Sequence, residues 1–124
     1  MAKIVHDDVL DGAFDVLDQA NLMIACSVQP TTWAEAVTTF ALADVVMVPN
    51  TNFTKANGDT SGRKVTVAAK SGVLIDVSGT PTHVALVDAT RLLYVTTCTG
   101  GALTANGSNT VNFPAWDIEI EDPV

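Results

Sequence analysis

The second half of the chain is dominated by a two-residue alternation of apolar side chains, interrupted at short intervals by turn-forming residues. Segments 63–69, 73–77, 82–87 and 91–99 carry this alternation, and short connections rich in Gly, Ser, Asp and Pro separate them. A period of two places successive side chains on opposite faces of an extended strand. Strands joined by such short connections pair antiparallel. We therefore predict an antiparallel meander over residues 63–99.

Further strands are predicted on both sides of this meander. Residues 116–121 alternate apolar side chains with carboxylates, which is typical of a strand with one buried and one solvated face. Residues 22–28 and 42–48 also have strand-like apolar patterns, and a proline follows each of them. The segments 49–62 and 100–109 are rich in Asn, Thr and Gly, and we interpret both as loops.

Residues 7–20 carry the clearest helical pattern. Their apolar side chains fill one continuous arc at 100° per residue, comprising Val9, Leu10, Ala13, Phe14, Val16, Leu17 and Ala20. Five aspartates fill another arc, and Gly12 weakens the isolated helix. Packing of the Phe14 face against a sheet is therefore expected to hold this helix in place. A second, short helical turn is predicted at 33–38, because Thr32 and Glu35 have capping-box spacing.

Length and composition agree with one β-rich domain. A chain of 124 residues has room for a single core, and 17 Val with 16 Thr favour pleated, half-buried surfaces. We predict a single structural domain over residues 1–124. Its fold class is mainly β (α+β), an antiparallel β-sandwich or rolled sheet of about seven strands with one N-terminal amphipathic helix.

The charge balance excludes several classes of partner. The formal net charge is −8, whereas binding to nucleic-acid phosphates or to an anionic membrane needs clustered Lys and Arg. We therefore expect no direct contact with nucleic acid and none with a membrane. Five aspartates before residue 19 also disagree with a secretory signal, so synthesis in a cytoplasm is expected.

The two cysteines, Cys26 and Cys98, are interpreted as free thiols that act as small apolar side chains. A single pair in a chain with an adequate core is not a disulfide scaffold. A bond formed after exposure to an oxidising medium is the alternative.

No catalytic, cofactor or metal constellation is recognised in the sequence. His6, Asp7, Asp8 and Asp11 place one imidazole near three carboxylates, but an exposed acidic helix face explains this pattern better than a metal site does. The glycines around Arg63 lack phosphate-loop spacing, and no nucleophile with its base can be assigned. We therefore predict that the protein is not an enzyme and uses no cofactor.

Six residues are candidates for an interface with another protein. The acidic face of the predicted helix, comprising Asp7, Asp11, Asp15 and Asp18, could meet a basic neighbour. Trp33 and Phe53 are large aromatic side chains in turn- or loop-rich segments, and such rings often anchor partners. The alternative for Trp33 is packing beneath its own loop.

Five stretches of the sequence resemble a known family when taken together: MAKIVHDDVLDGAFD, CSVQPTTWAEA, NGDTSGRKVTVAAKSG, HVALVDATRLLYVTTCT and WDIEIEDP. They are similar to small structural proteins encoded among the virion genes of tailed bacteriophages and prophages. The resemblance spans nearly the whole chain. It implies a virion component made in a bacterial host, and it supplies no catalytic or ligand residues.

Within a virion, the negative charge disfavours contact with packaged DNA and favours an outside location. We therefore expect a many-copy head decoration (cement) protein that stabilises the capsid lattice. Its expected partners are the major capsid protein and copies of itself, with a trimer as one arrangement. A neck or tail component is the first alternative. A module that recognises a host-surface glycan through loops 50–62 and 100–110 is the second.

Overall fold

The computed structural model describes residues 5–123, and within them the chain is mainly β with one N-terminal helix. The helix, α1, spans Asp7–Leu17, and a π-helical turn spans Glu35–Thr39. The nine strands are β1 (Leu22–Cys26), β2 (Ala41–Val46), β3 (Phe53–Asn57), β4 (Arg63–Val67), β5 (Lys70–Leu74), β6 (His83–Val87), β7 (Leu92–Thr97), β8 (Thr110–Phe113) and β9 (Trp116–Ile120).

Within residues 5–123, the strands form three antiparallel sheets, and these do not close into a barrel. The first sheet has the order β2-β1-β6-β7, the second β3-β4-β9, and the third contains β5 and β8. The predicted fold class is therefore confirmed, with two more strands than expected. The two extra strands, β3 and β8, were missed because they lie within or directly after the segments 49–62 and 100–109, where turn-forming residues obscure the strand pattern.

The second and third sheets are two halves of one bent ribbon. Val67 pairs with Trp116 and Lys70 pairs with Phe113, so the register continues unchanged from β4 into β5 and from β8 into β9. The predicted pairing of β4 with β5 is wrong, because the two strands follow each other along the same side of the ribbon. The predicted pairing of β5 with β6 is also wrong, because β6 lies between β1 and β7 in the four-stranded sheet. The hairpin of β6 and β7 in the predicted meander is confirmed.

The ribbon and the four-stranded sheet together make a roll that stays open along one side. Ala43 of β2 bridges to Ile75 just beyond β5, so the two layers are joined at that edge. At the opposite edge stand β7 and the β8–β9 strand, and among residues 5–123 no strand pairs with the free side of either one. Tyr94 of β7 stacks on Trp116 of β9 with ring centroids 5.9 Å apart, which brings these two edges close together.

The main core lies between the ribbon and the four-stranded sheet, with α1 against it. Its buried members come from α1 and from most strands, and include Phe14, Met23, Ala25, Met47, Phe53, Val65, Val67, Leu86, Phe113 and Ile118. A smaller cluster around Ile24 and Ala85 lies on the outer face of the four-stranded sheet, under the π-helical turn. Because α1 contacts both β4 and β7, it covers one end of the open side.

The helix is rotated toward its acidic side relative to the predicted orientation. Leu10, Phe14 and Leu17 are buried as expected, but Val9 and Val16 are exposed. The predicted continuous buried arc is therefore only partly right. Ion pairs to β3 and β4 hold the aspartate side of α1 against the ribbon. The side of the helix that carries Val9 and Val16 is therefore turned toward solvent. The helix also ends at Leu17 and not at residue 20.

The predicted capping box near residue 33 forms, but the Glu35 carboxylate bonds to Thr31 instead of Thr32. The backbone N–H of Glu35 donates to Thr32 Oγ1 at 3.2 Å, as the pattern predicts. The Glu35 carboxylate accepts from the N–H and the hydroxyl of Thr31, at 2.9 and 2.8 Å, instead of from Thr32. These bonds lower the pKa of Glu35, the backbone bond from Thr31 being the largest cause.

Candidate interface surfaces

The acidic face of α1 lies largely against basic side chains of its own chain. The Arg63 guanidinium of β4 donates to both carboxylate oxygens of Asp11, at 2.9 and 3.2 Å. This pairing raises the pKa of Arg63 further above its ordinary value. Two parallel N–H donors on one carboxylate fix geometry as well as charge. Asp11 therefore anchors α1 to the ribbon, and its charge is balanced within the chain.

Lys55 of β3 binds the C-terminal end of the helix. Its ammonium is paired with Asp15 and, at 2.9 Å, with Asp18. These bonds raise the pKa of Lys55, the one to Asp15 being the largest cause. Asp18 is buried, so the prediction that it belongs to an exposed acidic face is wrong. Of the four aspartates proposed for an interface, Asp7 is the one exposed residue with no ion pair among the described residues.

Trp33 lies at one end of the outer face of the four-stranded sheet. Its indole Nε1–H donates to the backbone oxygen of Asp88 at 2.9 Å, and 37% of the residue stays exposed. The register places Val46, Leu22, Val87 and Leu92 in one row across this end of the sheet. Val46, on the edge strand β2, is 67% exposed. We call Trp33, Leu22, Val46 and Leu92 the outer apolar patch.

Phe53 does not belong to the exposed surface. It is the first residue of β3, opposite Val67, and it is buried in the main core. The prediction that Phe53 anchors a partner from a loop is therefore wrong. Its segment forms a strand because β4 offers a paired edge, which overrides the turn signals around residues 50 and 58.

The open side of the roll holds a groove that the sequence did not reveal. A cavity of about 380 Å³ extends along it, with Thr96 and Thr97 of β7 on one wall and Phe113 and Trp116 on the other. A second cavity of about 180 Å³ continues it toward Gly100 and Leu103. Both cavities are lined by Cys98 and Pro114. The groove could not be predicted from the sequence, because the residues that line it become neighbours only through the long-range pairing of the ribbon.

One polar atom of a residue that lines this groove has no partner among the described residues. The indole Nε1–H of Trp116 is buried and makes no hydrogen bond to any described residue. A buried N–H left unpaired costs roughly 1–3 kcal/mol, and native proteins contain few of them. Trp116 was predicted as an inward-facing residue of the last strand, and it packs against the main core as expected.

The two cysteines are free, and the sheet geometry keeps them apart. The Thr82 N–H donates to the Cys26 oxygen and the Cys98 N–H to the Thr82 oxygen, so one strand width separates each from Thr82. Cys26 and Cys98 are therefore two strand spacings apart, each spacing being about 4.8 Å. This separation is larger than the Cα–Cα distance of about 7 Å that a disulfide tolerates. Burial, with a smaller contribution from Cys98, raises the pKa of Cys26 to about 11. Cys98 is partly exposed and lines the groove.

Within residues 5–123, no group of three or more His, Cys, Asp or Glu side chains is arranged to hold a metal ion. No helix in the described part of the chain is long and apolar enough to cross a membrane. In comparisons with known proteins, no family model, curated protein or solved structure matches this chain.

Proposed function

We propose that this protein is a structural component of a tailed-bacteriophage virion, and specifically a many-copy head decoration protein that binds the outer capsid surface. The virion assignment comes from the resemblance of five sequence segments to a family of phage structural proteins. Its proposed partners are the major capsid protein and further copies of the same chain. The proposed mechanism is binding alone, in which repeated weak contacts add up through avidity.

The observation that supports a binding role most directly is the outer apolar patch. Trp33 is held in one orientation by its hydrogen bond to Asp88, and Val46 beside this end of the sheet is 67% exposed. A half-exposed aromatic ring on the same sheet face as an exposed valine and two partly exposed leucines is typical of an interface centre. The ion pairs of Asp11, Asp15 and Asp18 argue against the acidic helix face as the main contact, since those carboxylates already have partners.

Mass spectrometry of purified virions tests the position in the particle. A head decoration protein is expected in hundreds of copies, in proportion to the major capsid protein. Six or twelve copies would move the protein to the neck, and its absence from the virion would contradict the whole proposal. Binding of a labelled glycan panel to the isolated chain, without virion association, would favour host recognition instead.

Binding of variants to capsids that lack the protein tests the surface. Trp33→Ala and Val46→Asp are expected to reduce binding at least tenfold. Val28→Asp is the matched control, because Val28 is also half-exposed but lies just beyond the opposite end of β1. If all three variants bind as tightly as the natural chain, the outer apolar patch is excluded as the contact. The copy number then remains a separate test of the virion assignment.

A further inference from the structure

The open side of the roll presents two unpaired strand edges to each other. Followed round the roll, every neighbouring pair is antiparallel: β7 with β6, β6 with β1, β1 with β2, β2 with the end of β5, and β5 with β8. This succession makes β7 and the β8–β9 strand run in opposite directions across the gap. A free strand edge carries a row of unpaired N–H and C=O groups, which is a template for another strand.

The direction of the free groups on β7 follows from the pairing on its other side. The Cys98 N–H donates toward β6, to the Thr82 oxygen at 2.9 Å. Because backbone groups alternate sides along a strand, the N–H groups of Thr97 and Val95 point away from β6. Thr97 lines the 380 Å³ cavity. The unpaired backbone groups of β7 are therefore directed into the open side.

The groove lies where a further strand would run. Its two cavities extend from Trp116 and Thr96 at one end to Gly100 and Leu103 at the other. At the opposite end of the open side, α1 and the stack of Tyr94 on Trp116 already fill the space. Trp116 lines the groove, although its indole Nε1 is itself buried. The outward N–H groups of β7 need acceptors, and the backbone carbonyls of an extended peptide supply acceptors at regular spacing.

We propose that this open side is a docking site for an extended arm of another polypeptide, which adds as a strand between β7 and the β8–β9 strand. Because its two neighbours run in opposite directions, the arm pairs antiparallel with one and parallel with the other. Its side chains facing the interior are small and apolar, since Val84, Phe113 and Pro114 line both cavities. The added strand completes the roll and removes both free edges. This site stands on its own geometry and does not depend on where in a virion the protein resides.

Nuclear magnetic resonance of the full-length chain tests the site with a defined probe. The probe is a capped peptide with the sequence of residues 82–88, which contains β6, the strand that pairs with β7 on its other side. In the free protein, the Thr97 amide is expected to exchange with deuterium at least about tenfold faster than the Thr96 amide, because only Thr96 faces β6. Millimolar probe is expected to slow Thr97 exchange at least about tenfold and to shift the Trp116 indole N–H resonance.

A pair of variants separates strand addition from other binding. Thr97→Pro removes the outward N–H, and proline is tolerated on an edge strand when the missing donor faces solvent. This variant is expected to keep its fold and lose the response to the probe. Thr97→Val retains the N–H and is expected to respond like the natural chain. The same peptide N-methylated at the positions of Val84 and Leu86 lacks donors along one edge and is expected not to bind.

Three results would overturn the proposal. The first is slow exchange of Thr97 in the dilute free protein, which would mean that this edge is already paired. The second is exchange that slows with protein concentration in the absence of probe, which would identify edge-to-edge pairing between copies. The third is a folded Thr97→Pro variant that responds to the probe as fully as Thr97→Val does, or no response of the natural chain at all.

Discussion

Replacing Lys55 with Met tests how α1 is held against the ribbon. Lys55 meets Asp15 and Asp18 near the C-terminal end of the helix, where the dipole is negative and the last turn contains no basic residue. The Asp18 side chain is 5% exposed, and one of its carboxylate oxygens has no hydrogen-bond partner among the described residues. Met preserves the apolar stem of Lys55 and removes its charge, so Lys55→Met leaves a buried carboxylate uncompensated.

The magnitude follows from the burial of the two partners. Removing one partner of a buried ion pair costs about 3–5 kcal/mol. The Lys55 side chain is 27% exposed, so water screens part of this interaction, and we expect the free energy of unfolding to fall by about 2 kcal/mol. For a domain of this size, that lowers the thermal midpoint by roughly 8 °C. Asp15→Asn removes only an exposed partner and is expected to cost about 0.5 kcal/mol.

Urea denaturation of four chains measures the effect: the natural chain, Lys55→Met, Asp18→Asn and the double variant. Because Asp18→Asn removes the buried charge that Lys55 compensates, the two substitutions are expected to couple by at least about 1 kcal/mol. Additive effects in the double variant would refute the reasoning. So would a loss for Lys55→Met no greater than the loss for Asp15→Asn.

Two further predictions concern pH and thiol chemistry. Burial and the neighbouring Asp76 raise the pKa of Asp44, so its charged form is disfavoured in the folded state at neutral pH and the penalty vanishes once the carboxyl is protonated. Asp44 is itself exposed, so water screens much of this penalty. Asp44→Asn is therefore expected to stabilise the fold by no more than about 0.5 kcal/mol at neutral pH and to have no effect well below the ordinary carboxyl pKa of about 4; a gain of equal size at both pH values would contradict this. A maleimide is expected to label Cys98 in the native protein at least about tenfold faster than Cys26, whose thiol is buried with a pKa near 11. In the absence of reductant, the denatured chain is expected to bind two maleimide groups, one at each cysteine. A denatured chain that binds none would contradict the assignment of both cysteines as free thiols.

The sequence predicted the fold class because most strands carry their own apolar alternation. Residues 82–87 and 91–99 form the hairpin of β6 and β7, where a short connection determines the pairing. Residues 116–121 contain β9 for the same reason. Pairing between strands that are distant in the sequence was harder to predict. Lys70, Ser71 and Gly72 have turn chemistry, but β8 pairs with this stretch and extends it.

The candidate site was predicted less well, because the side chains concerned depend on tertiary contacts. Apolar and acidic arcs on a helical wheel do not show which boundary faces the sheet, and two cations, Lys55 and Arg63, decided that. Phe53 lies among polar residues in sequence and against Val67 in space. Trp33 combines both of its alternatives, since its indole N–H is bonded to the Asp88 backbone oxygen while 37% of the residue stays exposed. The groove around Cys98 and Trp116 joins segments that no local pattern relates.

The bent ribbon has a consequence for the order of folding. Four residues separate β6 from β7, whereas roughly 35 residues separate the end of β5 from the start of β8. Each doubling of a loop adds about 0.6 kcal/mol to its closure entropy, so the ribbon begins at a disadvantage of about 2 kcal/mol relative to the hairpin. Nucleation is therefore expected in the hairpin, and the ribbon is expected to form afterwards from its Leu74–Thr110 end, where the loop to be closed is shortest. Until that late step, the hairpin's apolar face has no cover, and newly made chains would be most prone to aggregate during this interval.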